Sequence, residues 1–518
     1  MDVVPGGCGA TQSTKLADDP RVLSHRVEGL SEDEALELFR RCGAAADRDD
    51  VVRARVVTGG HALWLDLVAA QIARRPGPDR LRELLDDIAS DGGEIPDATL
   101  KSIWSQLTDR EQLVLQVLAE TVRPTTAIQV ADYLGARLRF NRVSKALPQL
   151  RSLNLVVVKR QEGTEAYELH PLIRTFVRRT HRKAERVWFI DAILAVYNAM
   201  FDLQRPMLSP RTSAKTVRQW LEGAELHVNA ERPDAALESL NEINAAAINE
   251  APVEFARVAG LVLDHDDLST VAALPHFDTV FPDYVRTLAT LDATEEAFEA
   301  LERYERTLSG KEARYINLCN MRCHLHWWNE NYDAAIKWGA EGVALKKSSG
   351  VDTAFDSGHN LALAQRDAGM VDPALRYFLE GHALEEVTKP GTIDEGYSEA
   401  FYGNIGRCLH FMGQVDPALA CYRKSAFLAQ ESKNAYGVEN QAFVREWIGE
   451  LLETKGNIAD ASAFLFAAAA KWARISPERA DRVAARAKRL ETALPAEQRI
   501  PEEQTAEQEV VRWMAASS

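Results

Sequence analysis

The sequence predicts a mostly α-helical protein in several units, and three observations carry that reading. Capping boxes precede apolar residues at helical spacing; one pair of short β-type runs flanks a glycine-containing turn; and one pattern of small residue, turn, alanine and large residue recurs through the second half. The chain of 518 residues exceeds what a single core usually organises, so three or four structural units are expected.

The first unit, 26–92, is helical. Ser31 and Glu34 form a capping box before Ala35, Leu36, Leu38, Phe39 and Cys42. Gly59-Gly60 ends a second helix, and His61 to Ala73 forms a third, bearing Leu63, Leu65, Leu67, Val68 and Ile72. Pro78-Asp79 opens a fourth with Leu81, Leu84, Leu85 and Ile88 inward. Ser90 to Asp97, polar with two glycines and a proline, reads as a linker.

The second unit, 99–186, follows a different pattern. Thr108 and Glu111 cap a helix with Val114, Val117 and Leu118, and a second holds Ile128, Val130 and Leu134 before Gly135. A third runs from about Asn141 to Leu153. Leu155 to Val158 and Ala166 to His170 read as strands around Gln161-Glu-Gly-Thr164. Three helices and such a wing make a winged helix, closed by a helix starting at Pro171.

From about Ala184 to Leu490 the chain reads as all-helical and repetitive. The pattern is Asn360-Leu-Ala362, Gly369, Ala374, Phe378; then Asn404-Ile-Gly406, Gly413, Ala418, Tyr422; then Ile448-Gly449, Gly456, Ala461, Leu465. Cys323, Tyr332 and Ala335 form a looser copy, and the marker alanines recur every 39, 44 and 43 residues. That is a stretched tetratricopeptide period, and it predicts an α–α superhelix over 312–492. Arg232 to Ala236 and Asp292 to Ala297 read as decayed copies, so 187–311 is assigned to degenerate repeats and 493–518 to a tail or capping helix. Small residues at the first marker let paired helices approach, and large ones fill the space between pairs.

Residues 26–186 resemble the C-terminal part of an NB-ARC-type STAND NTPase module. Arg26 to Phe39 is similar to the start of that family's helical ARC subdomain, Gly59-Gly-His-Ala-Leu63 resembles its G-x-P-L motif with Ala62 at the proline position, and Glu168 to Arg174 resembles its M-H-D motif. The resemblance implies that His170 contacts the β-phosphate of ADP. A P-loop needs two glycines, a lysine and a hydroxyl at fixed spacing. The nearest segment, Gly9 to Leu16, has Thr14 at the second glycine and Leu16 at the hydroxyl position. Residues 1–25 are therefore expected to be a remnant of a nucleotide-binding domain, without ATP hydrolysis and without a cofactor, ADP or ATP entering only with a domain supplied by a longer form.

Asparagine amides can bond a peptide backbone, arginine can pair with carboxylates, and tryptophan can anchor a side chain. Aligning the repeats puts Asn317, Asn320, His324, Trp327, Asn360, Arg366, Asn404 and Arg407 on the inner wall of the superhelix, the expected site for a protein or peptide partner. An alternative is DNA binding by the winged helix through Arg142, Lys145 and Gln149, in a stretch where Lys101 to Ile190 holds 16 basic and 8 acidic residues. The net charge of −16 argues against coating of nucleic acid or an anionic membrane. Cys319, Cys323, His324 and His326 do not converge as metal ligands on a helix, and no metal is expected. Six scattered cysteines, no secretory signal and no uninterrupted apolar run of membrane length predict a cytoplasmic chain, in which oligomerisation is open. The function expected is regulatory, with two alternatives: a DNA-binding transcription regulator, or a repeat scaffold with a vestigial NTPase remnant.

Overall fold

A computed structural model describes residues 29–515, apart from 75, 78, 91–94, 162, 264–267, 309, 311–312, 351–356, 390–392, 394–395, 433, 496–498 and 500–502. The predicted remnant at 1–25 lies outside the described residues. The fold is mostly helical, with one small three-stranded sheet among the described residues. The chain divides into two compact units, 1–192 and 193–518.

In the first unit, α1 (Glu32–Arg41), α2 (Arg48–Val57), α3 (Ala62–Arg74) and α4 (Arg80–Ser90) enclose one core. Phe39, Val51, Leu65, Val68, Ile72, Leu85 and Ile88 meet there, on the apolar faces the spacing predicts. The Ser31 box forms: Glu34 accepts from the Ser31 amide at 2.8 Å, and the Ser31 hydroxyl accepts from the Glu34 amide at 3.3 Å. The linker reading needs correction, because Ile95 to Asp97 already belong to α5 (Ile95–Gln106). Proline lacks an amide that the first turn would leave unpaired, so Pro96 starts this helix rather than breaking it.

Next come α6 (Asp109–Glu120), α7 (Ala127–Leu134), α8 (Phe140–Ser152), α9 (Pro171–Thr180) and α10 (Lys183–Gln204), the last extending past residue 192. Val114, Leu118, Val143, Leu147, Leu150, Ile173 and Phe176 are buried where α6 meets α8 and α9. Strands β2 (Val157–Gln161) and β3 (Thr164–Glu168) pair antiparallel, and β1 (Thr125–Thr126) pairs with β3 on its other edge. The hairpin is two residues out from the predicted strands. Leu155 and Val156 are buried as core residues before the ladder starts, and Gly163 takes the positive φ of +80° that the turn requires. Glu120, 1% exposed, accepts from Arg186 at 2.9 Å and pairs with Arg178 at 3.5 Å, so α6 is tied by charge to α9 and to the start of α10.

The second unit is a succession of helical hairpins: α11–α12 (Ala214–Asn229, Pro233–Glu250), α15–α16 (Phe277–Thr290, Thr294–Arg306) and α17–α18 (Ala313–Trp328, Tyr332–Ser349). They continue as α19–α20 (Ser357–Asp367, Val371–Leu379), α22–α23 (Glu399–Phe411, Val415–Glu431) and α24–α25 (Gly437–Thr454, Ile458–Trp472). Between and after them lie α13 (Pro252–Leu263), α14 (Leu268–Ala272), α21 (Leu384–Val387), α26 (Pro477–Thr492) and α27 (Glu503–Ala515), which packs on α25.

All six hairpins turn alike. A residue with positive φ (Glu231, Asp292, Glu330, Gly369, Gly413 or Gly456) stands five places before a fully buried alanine (Ala236, Ala297, Ala335, Ala374, Ala418 or Ala461). Three hairpins use an acidic residue where the others use glycine, which is why their copies look decayed in sequence. Packing inside three of the pairs is complementary. A Cβ on Gly406 would stand 2.7 Å from the Tyr422 ring, one on Gly449 would stand 2.8 Å from Leu465 Cγ, and in α17–α18 the roles reverse, with Cys323 Sγ facing Gly339.

By length and composition one segment among the described residues, Lys183–Met207, is long and apolar enough to cross a membrane, and 28% of its apolar window is buried. Asp191 and Asp202 interrupt it, so a search for uninterrupted apolar runs passes over it.

Overpacking a full interior costs about 1–3 kcal/mol. Gly449→Val is therefore expected to lower the unfolding free energy read from urea titration by that much, and adding Leu465→Ala to recover at least half of the loss. A double variant no more stable than Gly449→Val would refute this packing account.

Candidate functional site

The first helices of four successive hairpins each carry an asparagine toward a common cleft: Asn320 on α17, Asn360 on α19, Asn404 on α22 and Asn440 on α24. The cleft comprises two adjoining hollows of about 80 and 220 Å³, which share Arg286, His324, His359 and Asn360. Its aromatic wall is Trp327, Phe443 and Trp447, with ring centroids 6.2 Å apart for Trp327–Phe443 and 5.2 Å for Phe443–Trp447.

The cleft exists because the second unit closes on itself. Asn249 of α12 donates to the Ala435 carbonyl, Tyr436 donates to Asp283 of α15, and Arg474 donates to Glu250. Arg286 of α15 donates to Glu439 of α24 at 2.7 Å, and its guanidinium lies 3.6 Å over the Tyr436 ring. Trp328 meets both Phe443 and Trp472. These contacts bring α15 and α24 together across the hollow.

Of the eight residues the repeats point to, Asn320, His324, Trp327, Asn360, Arg366 and Asn404 line the cleft. Asn360 donates to the Asn320 side chain at 2.9 Å. Arg366, 1% exposed, donates at 2.7 Å to Asp367 and at 2.6 Å to Asn404 Oδ1; Asp367 also accepts from Trp327 at 2.7 Å. Arg366 is thus a brace for the wall more than a free cation. Asn317 is buried nearby with Oδ1 unpartnered, outside the lining. Arg407 turns away to Glu450 and lies 4.4 Å over Phe411.

The residues that sequence reasoning missed are Arg286, His359, Glu399, Glu439, Asn440, Phe443 and Trp447. Three of them had a signal: Asn440, Phe443 and Trp447 stand three and four residues apart on α24, one helical face. Arg286 had none, because α15 belongs to a hairpin of weak pattern and meets α24 only in the closed unit.

The electrostatics follow from burial. His324 is held well below the usual imidazole range, by burial first and then by Arg286 and His359, and its Nε2 has no hydrogen-bond partner. Burial also raises the Asp283 carboxyl, against the donors Tyr436 and Asn244. Asp367 is lowered: burial opposes its charge, but Arg366 outweighs it. In the same way Glu450 is lowered by Arg407 and Arg486 against burial.

Elsewhere the predicted residues go to separate places. His170 caps α9, its Nδ1 accepting from the Leu172 amide at 3.3 Å, and burial with His61 nearby lowers its pKa. Arg142 and Lys145 are exposed on α8, while Gln149 accepts from Arg110 at 3.0 Å. Cys319 and Cys323 are buried in packing, His326 lies against Phe298, and no group of three metal-ligating side chains occurs among the described residues. No family model matches the chain, and no curated protein matches it.

The arrangement can bind; among the described residues it offers amides, two imidazoles and aromatic faces rather than a nucleophile beside a base. His324, His326 and His410 are all lowered by burial, so the folded state prefers them neutral. The unfolded chain takes up these protons near pH 6.5, so their contribution is complete above that pH and lost as pH falls below it. The urea midpoint is expected to fall between pH 7 and 5, and His324→Gln to flatten that slope. Parallel pH profiles for the two proteins would remove His324 as a cause.

Proposed function

We propose that the chain is a non-enzymatic regulatory protein of STAND type, acting in the cytoplasm. In this reading the second unit is a tetratricopeptide-like superhelix that binds a peptide segment in its cleft. The first unit, an ARC-like helical subdomain followed by a winged helix, transmits or restrains the response. The observation that carries the binding reading is the convergence of four asparagines, one from each of four successive hairpins, beside an aromatic wall. Peptide backbones present alternating donors and acceptors, which primary amides match from either side, and aromatic rings supply the apolar contact. Six regular hairpins with one turn geometry support the superhelical reading. The order of four helices, three helices with a β-hairpin and a closing helix supports the ARC and winged-helix reading.

One observation favours the alternative of a DNA-binding regulator. Arg139, Arg142 and Lys145 are exposed around the start of α8 and, among the described residues, meet no acidic partner. Phosphate contacts of that kind would make binding strongly salt-dependent. In that case, mobility shifts on mixed duplex DNA would weaken at least tenfold in Arg142→Glu/Lys145→Glu; no shift at low salt would dispose of the alternative.

For the principal reading, a mixed hexapeptide library is incubated with the full chain, and retained peptides are identified by mass spectrometry after gel filtration. A defined subset should be retained, and Asn360→Ala/Asn404→Ala should weaken its binding at least tenfold, about 1.4 kcal/mol. Retention of no peptide, or equal retention by the variant, would end the peptide reading.

A further inference from the structure

Each carboxylate lining the cleft has a counter-charge or a donor on both oxygens among the described residues, with one exception. Arg286 is paired with Glu439 at 2.7 Å, and Arg366 with Asp367 at 2.7 Å. Asp283 gives one oxygen to Tyr436 and the other to Asn244. Glu399, at the start of α22, is 5% exposed and has no cationic partner among the described residues. Its Oε1 accepts from the Ser432 hydroxyl at 2.7 Å and from Asn440 Nδ2 at 3.0 Å, and no described residue donates to Oε2. A carboxylate so far out of water is costly unless an opposite charge or donors meet it.

The neighbouring atoms on that wall are acceptors too. Asn440 commits its amide nitrogen to Glu399, which leaves its carbonyl oxygen available, and Glu439 uses only Oε2 for Arg286. His324, 7% exposed in the same cleft, has its Nε2 without a partner. A wall of acceptors with one negative charge that no described cation meets selects a cationic donor group.

Two observations choose among cations. A guanidinium is broad and planar and favours an aromatic face, whereas an ammonium is compact, with three donors and no acceptor. The aromatic faces already have guanidinium neighbours: Arg366 lies 5.1 Å and Arg407 5.5 Å over Trp447, and Arg479 lies 4.5 Å over Phe443. The hollow containing Glu399 is also small, about 80 Å³.

We infer that the cleft receives a primary ammonium group of a peptide, either a lysine side chain or a free N-terminus, against Glu399 and the acceptors beside it. This rests on the reading of the second unit as a peptide-binding superhelix and names the group that reading leaves open.

The test uses the full chain with two hexapeptide libraries, one with free N-termini and one N-acetylated, each scanned for lysine, arginine, acetyl-lysine, norleucine and glutamate at every position. The expected result is at least tenfold enrichment of lysine over acetyl-lysine and norleucine at one position in the acetylated set, or at least tenfold preference for free over acetylated N-termini. The first outcome assigns the ammonium to a side chain and the second to the terminus. Glu399→Gln should reduce either preference at least fivefold. Because Glu399 also holds Ser432 and Asn440, the wild-type comparison of lysine with acetyl-lysine stands even if that variant folds poorly. Retained peptides with no preference for an ammonium, or with glutamate preferred, overturn the inference and leave the peptide reading intact. Retention of no peptide from either library overturns both.

Discussion

The second unit depends on how closely the two helices of each hairpin approach. At Gly406 and Gly449 the first helix has no side chain, and Tyr422 and Leu465 of the second helix occupy that space. In α17–α18 the exchange runs the other way, with Gly339 yielding to Cys323. What recurs in these three pairs is a side chain of one helix seated where the other has only a glycine, as close packing demands, and not a residue type at a fixed position. The fully buried alanine after each turn repeats the argument where the second helix crosses back. With helix separation fixed in this way, successive first helices present one face to the same side, and four asparagines reach one cleft.

That cleft carries several charged side chains withdrawn from water, and Arg286 and Arg366 are each held there in an ion pair, Arg366 with a further hydrogen bond. Arg366 illustrates the economy: one guanidinium neutralises Asp367, orients Asn404 and, through Asp367, is linked to the Trp327 indole. Removing either partner of such a buried pair would leave a charge with no compensation, which is far costlier than the pair is stabilising. The same burial keeps His324 neutral, so the cleft has a hydrogen-bonding group there without a further positive charge.

The first unit is held by different means. Its four-helix core is apolar, and its second part relies on one deeply buried carboxylate, Glu120, shared by Arg178 and Arg186. Glu111, wholly buried, serves twice: it accepts from the Thr108 amide at 2.8 Å as a cap and pairs with Arg74 at 3.2 Å. A capping residue recognised from local sequence thus also joins α6 to α3.

Local rules determined much of this protein from the sequence alone. Capping boxes at Ser31 and Thr108, glycine turns at Gly369, Gly413 and Gly456, and the β-hairpin around Gly163 are short-range effects, so they are legible within a few residues. Three of the four cleft asparagines, Asn320, Asn360 and Asn404, were legible too, because a repeat carries its register with it. Tertiary structure alone decided the rest. The pairing of β1 with β3, the helical start at Ile95, and the closure that sets Arg286 beside Glu439 depend on partners 40 to 150 residues away or on a core not visible locally. Asn317 and Arg407 have the right spacing and still fall outside the cleft, since a helix face gives a direction but not which neighbour fills it. Glu399, which meets no cation among the described residues, belongs to the same class: a carboxylate in sequence has a charge, and only the folded chain determines whether a counter-charge stands beside it.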